Sequence, residues 1–321
     1  MKAAGIRSAL TSMLSGEMDT DAIAKTLIQI EDEGVGAEQL TAGATVMREH
    51  MKRVEVPENA IDIVGTGGTG LKLLSISTAT AFVVAGAGVP VAKHGNRGAS
   101  SPTGTADTQS ELGINIAMAP ERAAEAVSEV GMGFLFAPTY HPAMRHVGPA
   151  RKQIGKRTIF NRLGPLCNPA SVKYMLLGSA EADLVRPMAE ALKANGVTSA
   201  KVVHGEDGLD EITTTGRTFV AELKNNAITE YEITPENVGL DHVALSALSG
   251  GQPAENAAAL RDLLNGNASA YRDIVLLNAA ATLKVAGKVD AIQDGIVLAQ
   301  TSIDSGAAKS VLTKLAAFSH G

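Results

Sequence analysis

Tryptophan is absent from this chain, and Phe, Tyr and Trp together make up 3% of its 321 residues. A core with so few rings must be assembled from Ala, Val, Leu, Ile and Met, with backbones brought close at glycine. The hydrophobic fraction of 45% is enough for a large α/β core plus a smaller domain. Cysteine is nearly absent too. Cys167 alone can form neither an internal disulfide nor a cysteine-based zinc site, which fits a reducing, cytoplasmic setting. No uninterrupted apolar run is long enough to cross a bilayer, and the N-terminus carries no signal-peptide pattern, so no membrane partner is expected.

Acidic residues are missing from two stretches of an otherwise acidic protein. The formal net charge is -6, yet residues 63–106 contain no Asp or Glu and include Lys72, Lys93 and Arg97. Residues 130–180 also lack acids and carry Arg145, Arg151, Lys152, Lys156, Arg157, Arg162 and Lys173, together with His141 and His146. This pattern predicts a local positive cleft for a small, highly charged anion and argues against nucleic acid as a partner. Lys152 and Lys156 read individually as a solvated helix face.

Two glycine-rich loops lie in the first stretch. Gly65-Thr66-Gly67-Gly68-Thr69-Gly70 follows the apolar run Ile61-Asp62-Ile63-Val64 and precedes a helical run from Ser77 through Ala87, so it sits where a strand turns into a helix. Glycines there leave N–H groups uncovered and let an anion approach the helix N-terminus. The loop has the form Gly-x-Gly-x-x-Gly, but the next acid after Asp62 is Asp107, well beyond the ribose-binding position about 20 residues on. No Gly-Lys-Ser/Thr ending follows, so this is not a nucleoside triphosphate loop. In the second loop, Val89-Pro90-Val91-Ala92 reads as a buried strand. Lys93, His94, Asn96 and Arg97 project from its end, with Ser100, Ser101, Thr103 and Thr105 behind them. Ligands of open α/β sheets bind beyond the carboxyl ends of strands, where a lysine, an arginine and several hydroxyls can share one polyanion.

A third segment points to a metal. The strand-like run from Ser199 to His204 ends in Gly205-Glu206-Asp207-Gly208-Leu209-Asp210-Glu211, with four carboxylates within six residues. Hard oxygen ligands of this kind suit Mg²⁺, which uses one or two carboxylates and completes its shell with water and phosphate oxygens.

The spacing of apolar residues predicts an α/β fold with a small helical N-terminal subdomain and a large α/β domain whose central, mostly parallel sheet is flanked by helices. Residues 2–52 read as three or four amphipathic helices, with Asp19 or Thr20 capping the run that contains Ile23, Leu27 and Ile30. From Ile61 onward, strands at Pro90–Lys93, Gly133–Phe136, Met175–Leu177 and Lys201–His204 alternate with helices. Phe219–Leu223 and Ile228–Ile233 form a predicted hairpin, and helices follow from Ala254. The expected division is residues 1–60, joined by part of 150–170 where the chain crosses between subdomains, and residues 61–321.

Taken together, Asp62-Ile63-Val64-Gly65-Thr66-Gly67-Gly68, Ser75-Ile76-Ser77-Thr78, Val91-Ala92-Lys93-His94-Gly95-Asn96-Arg97, the segment from His141 to Arg151, the run Arg157-Thr158-Ile159-Phe160-Asn161-Arg162-Leu163-Gly164-Pro165-Leu166 and the run from His204 to Glu211 resemble the anthranilate phosphoribosyltransferase family over nearly the whole chain. The resemblance implies that Gly65, Gly67, Gly68, Thr69, Ser75, Ser77 and Thr78 contact phosphoribosyl pyrophosphate, with Lys93, His94, Gly95, Asn96, Arg97, Ser100, Ser101 and Thr105 completing the phosphate shell. It implies that Gly65, His94, Asn96, Arg151 and Pro165 hold anthranilate, Arg151 as partner of its carboxylate. Ser77, Asp210 and Glu211 are the implied Mg²⁺ contacts, and a homodimer formed through the helical subdomain is the implied assembly. Two positions depart from the family pattern: Thr69 stands where an Asp is usual, and Ser75 where an Asn is usual. The expectation is an active enzyme of tryptophan biosynthesis with altered magnesium dependence. The competing readings are a nucleoside phosphorylase of the same fold and a non-enzymatic paralogue that binds nucleic acid through its basic segments.

Overall fold

The computed structural model describes residues 1–98 and 103–321. The first 60 residues form three helices, α1 (Ala3–Leu14), α2 (Thr20–Asp32) and α3 (Ala37–Glu49), and the first strand begins at Ile61. Asp19 caps α2 by accepting a hydrogen bond from the Ala22 N–H at 2.8 Å. The stripe Ile23, Leu27, Ile30 that the periodicity picks out is buried. These helices lean on one another and on a later segment, α8 (Gly148–Ile154) against α2 and α9 (Ile159–Leu163) against α3.

The remaining chain builds a seven-stranded sheet, counted among the described residues, in the order β3-β2-β1-β4-β5-β6-β7. The strands are β1 (Ile61–Gly65), β2 (Val91–Gly95), β3 (Met132–Phe136), β4 (Tyr174–Gly178), β5 (Ser199–Gly205), β6 (Thr218–Lys224) and β7 (Ala227–Ile233). β3 through β5 run parallel, and β6 and β7 add an antiparallel hairpin. Its turn is Asn225-Asn226, both with positive φ, a conformation that Asn tolerates and that matches the twist of paired strands.

Helices cover both faces. α4 (Ile76–Gly86) and α12 (Ala270–Val285) lie on one, backed by α13 (Ile292–Asp304) and α14 (Ala307–Phe318); α6 (Pro120–Glu129) and α10 (Val185–Ala194) lie on the other, with α3 packed on α10. The short helices α5 (Thr105–Glu111) and α7 (Ala137–Tyr140) and the three-turn α11 (Pro253–Leu264) complete the helical shell. The strand order reverses its direction of growth between β1 and β4. Open α/β sheets place their ligands at that reversal, outside the carboxyl ends of the strands, and here those ends are Gly65 and Gly178, paired in register.

Small residues let the layers approach, as the scarcity of aromatics requires. Gly86 in α4 faces α14 so closely that a methyl group there would fall 2.6 Å from the Ala308 backbone nitrogen and 2.7 Å from its Cα. Overpacking against backbone costs about 1–3 kcal/mol, while Ala in place of a helical Gly recovers roughly 0.5–1 kcal/mol. Gly86→Ala is therefore expected to lower stability by about 1–2 kcal/mol, measured by urea unfolding; an unchanged or raised midpoint would refute the close α4–α14 contact.

Candidate active site

The site assembles at the reversal point from three strand ends. The loop after β1 carries Gly67, Gly68 and Gly70 in left-handed conformations that only glycine adopts without strain. Its start is tied to β4: the Thr66 N–H donates to the Gly178 carbonyl at 2.9 Å, and the Thr66 hydroxyl accepts from the Ala180 N–H at 3.0 Å. The acidic loop after β5 comes down on the same point. The Gly67 N–H donates to Asp210 Oδ2 at 2.8 Å, and methyl groups at Gly65 or Gly178 would lie 2.2 Å from Asp210 Oδ2 or 1.7 Å from the Asp210 carbonyl oxygen. Gly65 thus makes room for the carboxylate of Asp210 and Gly178 for its backbone.

The four carboxylates of that loop separate into two roles. Glu206 faces outward to Arg217 at 3.0 Å. Asp207 turns inward on its own loop, accepting from the Leu209 N–H and from the hydroxyls of Thr213 and Thr215. Only Asp210 and Glu211 reach the floor of the cleft, partly open to solvent yet surrounded by protein. The Ser77 backbone at the start of α4 lies beside the Glu211 carboxyl and favours its ionised form. Loss of solvation and the neighbouring Asp210 raise the Glu211 carboxyl to about 8, and burial raises Asp210 as well.

Lys93 and His94 are expected beyond the end of β2; instead both lie within the strand and are buried. Alternation along the strand sends them to different partners. Lys93 Nζ donates to the Ile63 carbonyl and approaches Ser77 Oγ at 3.3 Å. Burial lowers its pKa, opposed by Asp62, Glu211 and Asp210. His94 lies beside the Gly164 backbone and stacks obliquely on His141 at 5.2 Å between ring centroids. Burial, with the neighbouring His141, holds the His94 ring down to about 3, so at neutral pH it is an uncharged group whose Nε2 has no hydrogen-bond partner among the described residues. Such a ring suits contact with a ligand better than a base that must take a proton.

Arg151 on α8 belongs to the same side as His94. Its Nη2 donates to Asn161 Oδ1 at 3.2 Å on α9, its guanidinium lies 5.9 Å from the Phe160 ring centroid, and it makes no ion pair among the described residues. α9 runs directly into the Gly164–Leu166 turn that carries buried Pro165 and touches His94. A desolvated guanidinium without a carboxylate partner is a receptor for one.

Other expected contacts are engaged within the protein. Arg97 pairs with Asp107 at 2.7 Å, and Asp107 also accepts from the Gly98 and Gly104 N–H groups, which folds the second loop onto α5. Asn96 Oδ1 accepts from the Arg97 N–H, and Gly95 closes β2. Thr103 donates to the Gly251 carbonyl, and Thr105 opens α5. Ser100 and Ser101 lie outside the described residues. Thr69 Oγ1 accepts from the Leu71 N–H, Ser75 Oγ is shared by Thr108 and Asn256, and Thr78 is buried in α4. Lys152 and Lys156 are exposed, as a solvated face requires.

The cleft is less positive than its acid-free segments suggest, because tertiary structure imports acids. Lys93 is met by Asp62, Asp210 and Glu211, while Arg157 and Arg162 are met by Glu181 and Glu31. Two carboxylates that repel each other at the cleft floor, with Ser77 beside them, form a hard-oxygen donor set that fits a divalent cation.

The distribution of these groups can be compared with known proteins. A family model described as "Glycosyl transferase family, a/b domain" matches residues 57–309. Anthranilate phosphoribosyltransferase of Parvibaculum lavamentivorans is 53% identical over 321 residues, covering all of this chain and 94% of that protein. The chain belongs to the anthranilate phosphoribosyltransferase family. The crystal structure of the Thermus thermophilus anthranilate phosphoribosyltransferase superposes with a TM-score of 0.94 at 41% identity, covering 100% of this chain and 96% of the other. The Saccharomyces cerevisiae enzyme, solved in complex with PRPP and Mg, matches with a TM-score of 0.91 at 27% identity, covering 100% and 94%.

Reading the chain as a sequence passes over several groups that shape this family's site here. Asp62 is fully buried, accepting from the His94 N–H at 3.1 Å and from Asn168 Nδ2 at 2.7 Å. A lone acid inside an apolar strand is the signal that could have flagged it. Gly178 and Glu181 carry no motif, and only the β1–β4 pairing reveals their place.

The raised Glu211 carboxyl gives a direct test. At pH 7 it holds a proton, and a bound cation favours the ionised form, so binding must expel protons. Calorimetry of Mg²⁺ binding with phosphoribosyl pyrophosphate present, in two buffers of different ionisation enthalpy, is expected to show proton release at pH 7 that shrinks above pH 8. Equal heats in the two buffers would refute the shift.

Proposed function

We propose that this chain transfers the phosphoribosyl group of 5-phosphoribosyl 1-pyrophosphate to the amine of anthranilate, giving N-(5-phosphoribosyl)anthranilate and pyrophosphate, a step of tryptophan biosynthesis. The observation that carries the reading is the division of labour about β2: Lys93, Ser77, Asp210, Glu211 and the glycine loop on the phosphate side, and His94, Pro165 and the unpaired Arg151 on the aromatic side. The yeast enzyme has also been solved in complex with 4-fluoroanthranilate, which supports the assignment of the second half.

In the reaction the bond between the ribose anomeric carbon and the pyrophosphate oxygen breaks, a bond from that carbon to the amine nitrogen forms, and the amine gives up a proton. An aromatic amine is already neutral at pH 7, so the demanding part is the charge on the departing pyrophosphate. Ser77, Asp210 and Glu211 would hold Mg²⁺, which when bound neutralises charge on the leaving group. Lys93 adds a buried ammonium beside the same end, and exposed Gly67 offers an unobstructed surface, with no atom within 4 Å of where a side chain would start. Arg151 orients the incoming amine by holding the carboxylate ortho to it, with Asn96 at the mouth and the neutral His94 ring lining the slot. Positioning and electrostatics carry the rate.

The protein works in the cytoplasm, as a homodimer formed through residues 1–60 with part of 150–170, leaving residues 61–321 as the substrate-binding unit. The packing of α8 and α9 on α2 and α3 supports that division, and no helix among the described residues is long and apolar enough to cross a membrane.

Anthranilate fluorescence is expected to fall when protein, phosphoribosyl pyrophosphate and Mg²⁺ are combined, and to persist without metal. Arg151→Ala removes a charge-assisted pair of about 2–3 kcal/mol, so the KM for anthranilate should rise roughly 30- to 160-fold with that for phosphoribosyl pyrophosphate little changed. Persistent fluorescence at every metal concentration would sink the reading. Thr69→Asp restores a carboxylate to the glycine loop and should shift the magnesium optimum; identical magnesium profiles would show that Thr69 has no bearing on metal use.

A further inference from the structure

Arg157, on the connection between α8 and α9, reaches the glycine loop across the cleft. Its Nη1 donates to the Gly67 carbonyl at 2.8 Å, and a methyl group at Gly68 would lie 1.8 Å from the same nitrogen. Gly68 is therefore needed to admit a guanidinium, a use distinct from leaving room for phosphate. Gly67 is held on both sides of its Cα, its N–H by Asp210 and its carbonyl by Arg157. Behind Arg157 stands Glu181, 3.6 Å from its Nη2. Glu181 in turn accepts a fork of hydrogen bonds from Arg162, from Nε at 3.0 Å and from Nη2 at 2.8 Å. Arg162 Nη1 reaches Glu31 on α2 at 2.6 Å.

This chain of contacts runs from α2 through the segment between α8 and α9 and ends on the glycine loop. Among the described residues, Arg157 Nε and Nη2 are shielded from solvent and make no hydrogen bond, with Glu181 the carboxylate facing Nη2. The guanidinium acts on the loop through the one bond to Gly67 and through its charge. We propose that Arg157 is a positioning residue for the phosphoribosyl pyrophosphate site: it sets the pose of Gly67, and through Glu181 and Arg162 it ties that pose to Glu31 in the helical subdomain. The inference rests on the reaction proposed above and names a residue that acts on one of its two substrates.

The test compares unsubstituted protein with Arg157→Gln, Arg157→Lys and Glu31→Gln. The readouts are calorimetric binding of phosphoribosyl pyrophosphate with Mg²⁺, both KM values and thermal melting. Arg157→Gln is expected to weaken phosphoribosyl pyrophosphate binding tenfold or more, with the KM for anthranilate within twofold and melting unchanged. Arg157→Lys should recover part of the loss, because a lysine can still reach a carbonyl. Glu31→Gln, remote from both substrates, frees Arg162 to draw Glu181 away from Arg157, so it should weaken the same binding two- to threefold. Unchanged binding in Arg157→Gln, or an equal loss for both substrates with a lowered melting temperature, overturns the positioning role. An effect confined to Arg157 overturns the tie to α2. Unsubstituted protein that binds phosphoribosyl pyrophosphate but fails to consume anthranilate would instead count against the reaction, leaving the Arg157 comparison readable from binding alone.

Discussion

A buried ammonium surrounded by carboxylates organises this protein. Lys93 is almost fully enclosed, and Asp62, Glu211 and Asp210 act on its charge from β1 and from the loop after β5. Burying one charge without partners is costly, and burying a mismatched set is costly in the other direction. One lysine against three carboxylates leaves the cluster short of positive charge. Burial raises the Asp62 carboxyl to about 6, and Glu211 is raised further still by burial and by Asp210. On the reaction proposed above, the imbalance would be relieved by a cation and a polyphosphate arriving together, the cation answering Asp210 and Glu211 and the phosphate oxygens meeting Lys93 and the loop. In that proposal, charge deficiency at the cleft floor and demand for a metal-bound anionic substrate are one property.

The same strand that carries Lys93 divides the site. Alternation puts His94 on another set of partners, where burial keeps it neutral beside His141 and the turn that holds Pro165. Asp62 spans the division: one oxygen accepts from the His94 and Ile63 N–H groups, the other from Asn168, whose amide also donates to the Ala92 carbonyl. A charged cluster about Lys93 and an uncharged one about His94 can therefore lie on either side of a single strand without drifting in register.

Much of the architecture was legible because local physics decides it. The α2 stripe with its Asp19 cap, the strands at each apolar run and the Asn-Asn hairpin all depend on neighbours within a few residues. Residue type alone nominated Asp210, Glu211, Lys93 and Arg151 as site candidates. It failed where partners come from far along the chain. Four carboxylates in one loop look equivalent in sequence, but Arg217, Thr213 and Thr215 claim two of them and leave two for the cleft. Arg97 looks like a phosphate contact until Asp107 is seen to hold it. The acid-free segments look strongly positive until Glu31 and Glu181 fold against them.

By itself the sequence determined the order of strands and helices, the glycine and acidic loops at strand ends and the family to which they belong, because periodicity, turn chemistry and motif spacing are written along the backbone. Tertiary structure alone decided which charges are paired and which remain available, that Gly65 and Gly178 yield to Asp210 while Gly68 yields to Arg157, and that Lys93 and His94 work on separate sides. The reason is range: conformational preferences act between neighbouring residues, whereas electrostatic pairing and close packing depend on distances that exist only after the strands have met.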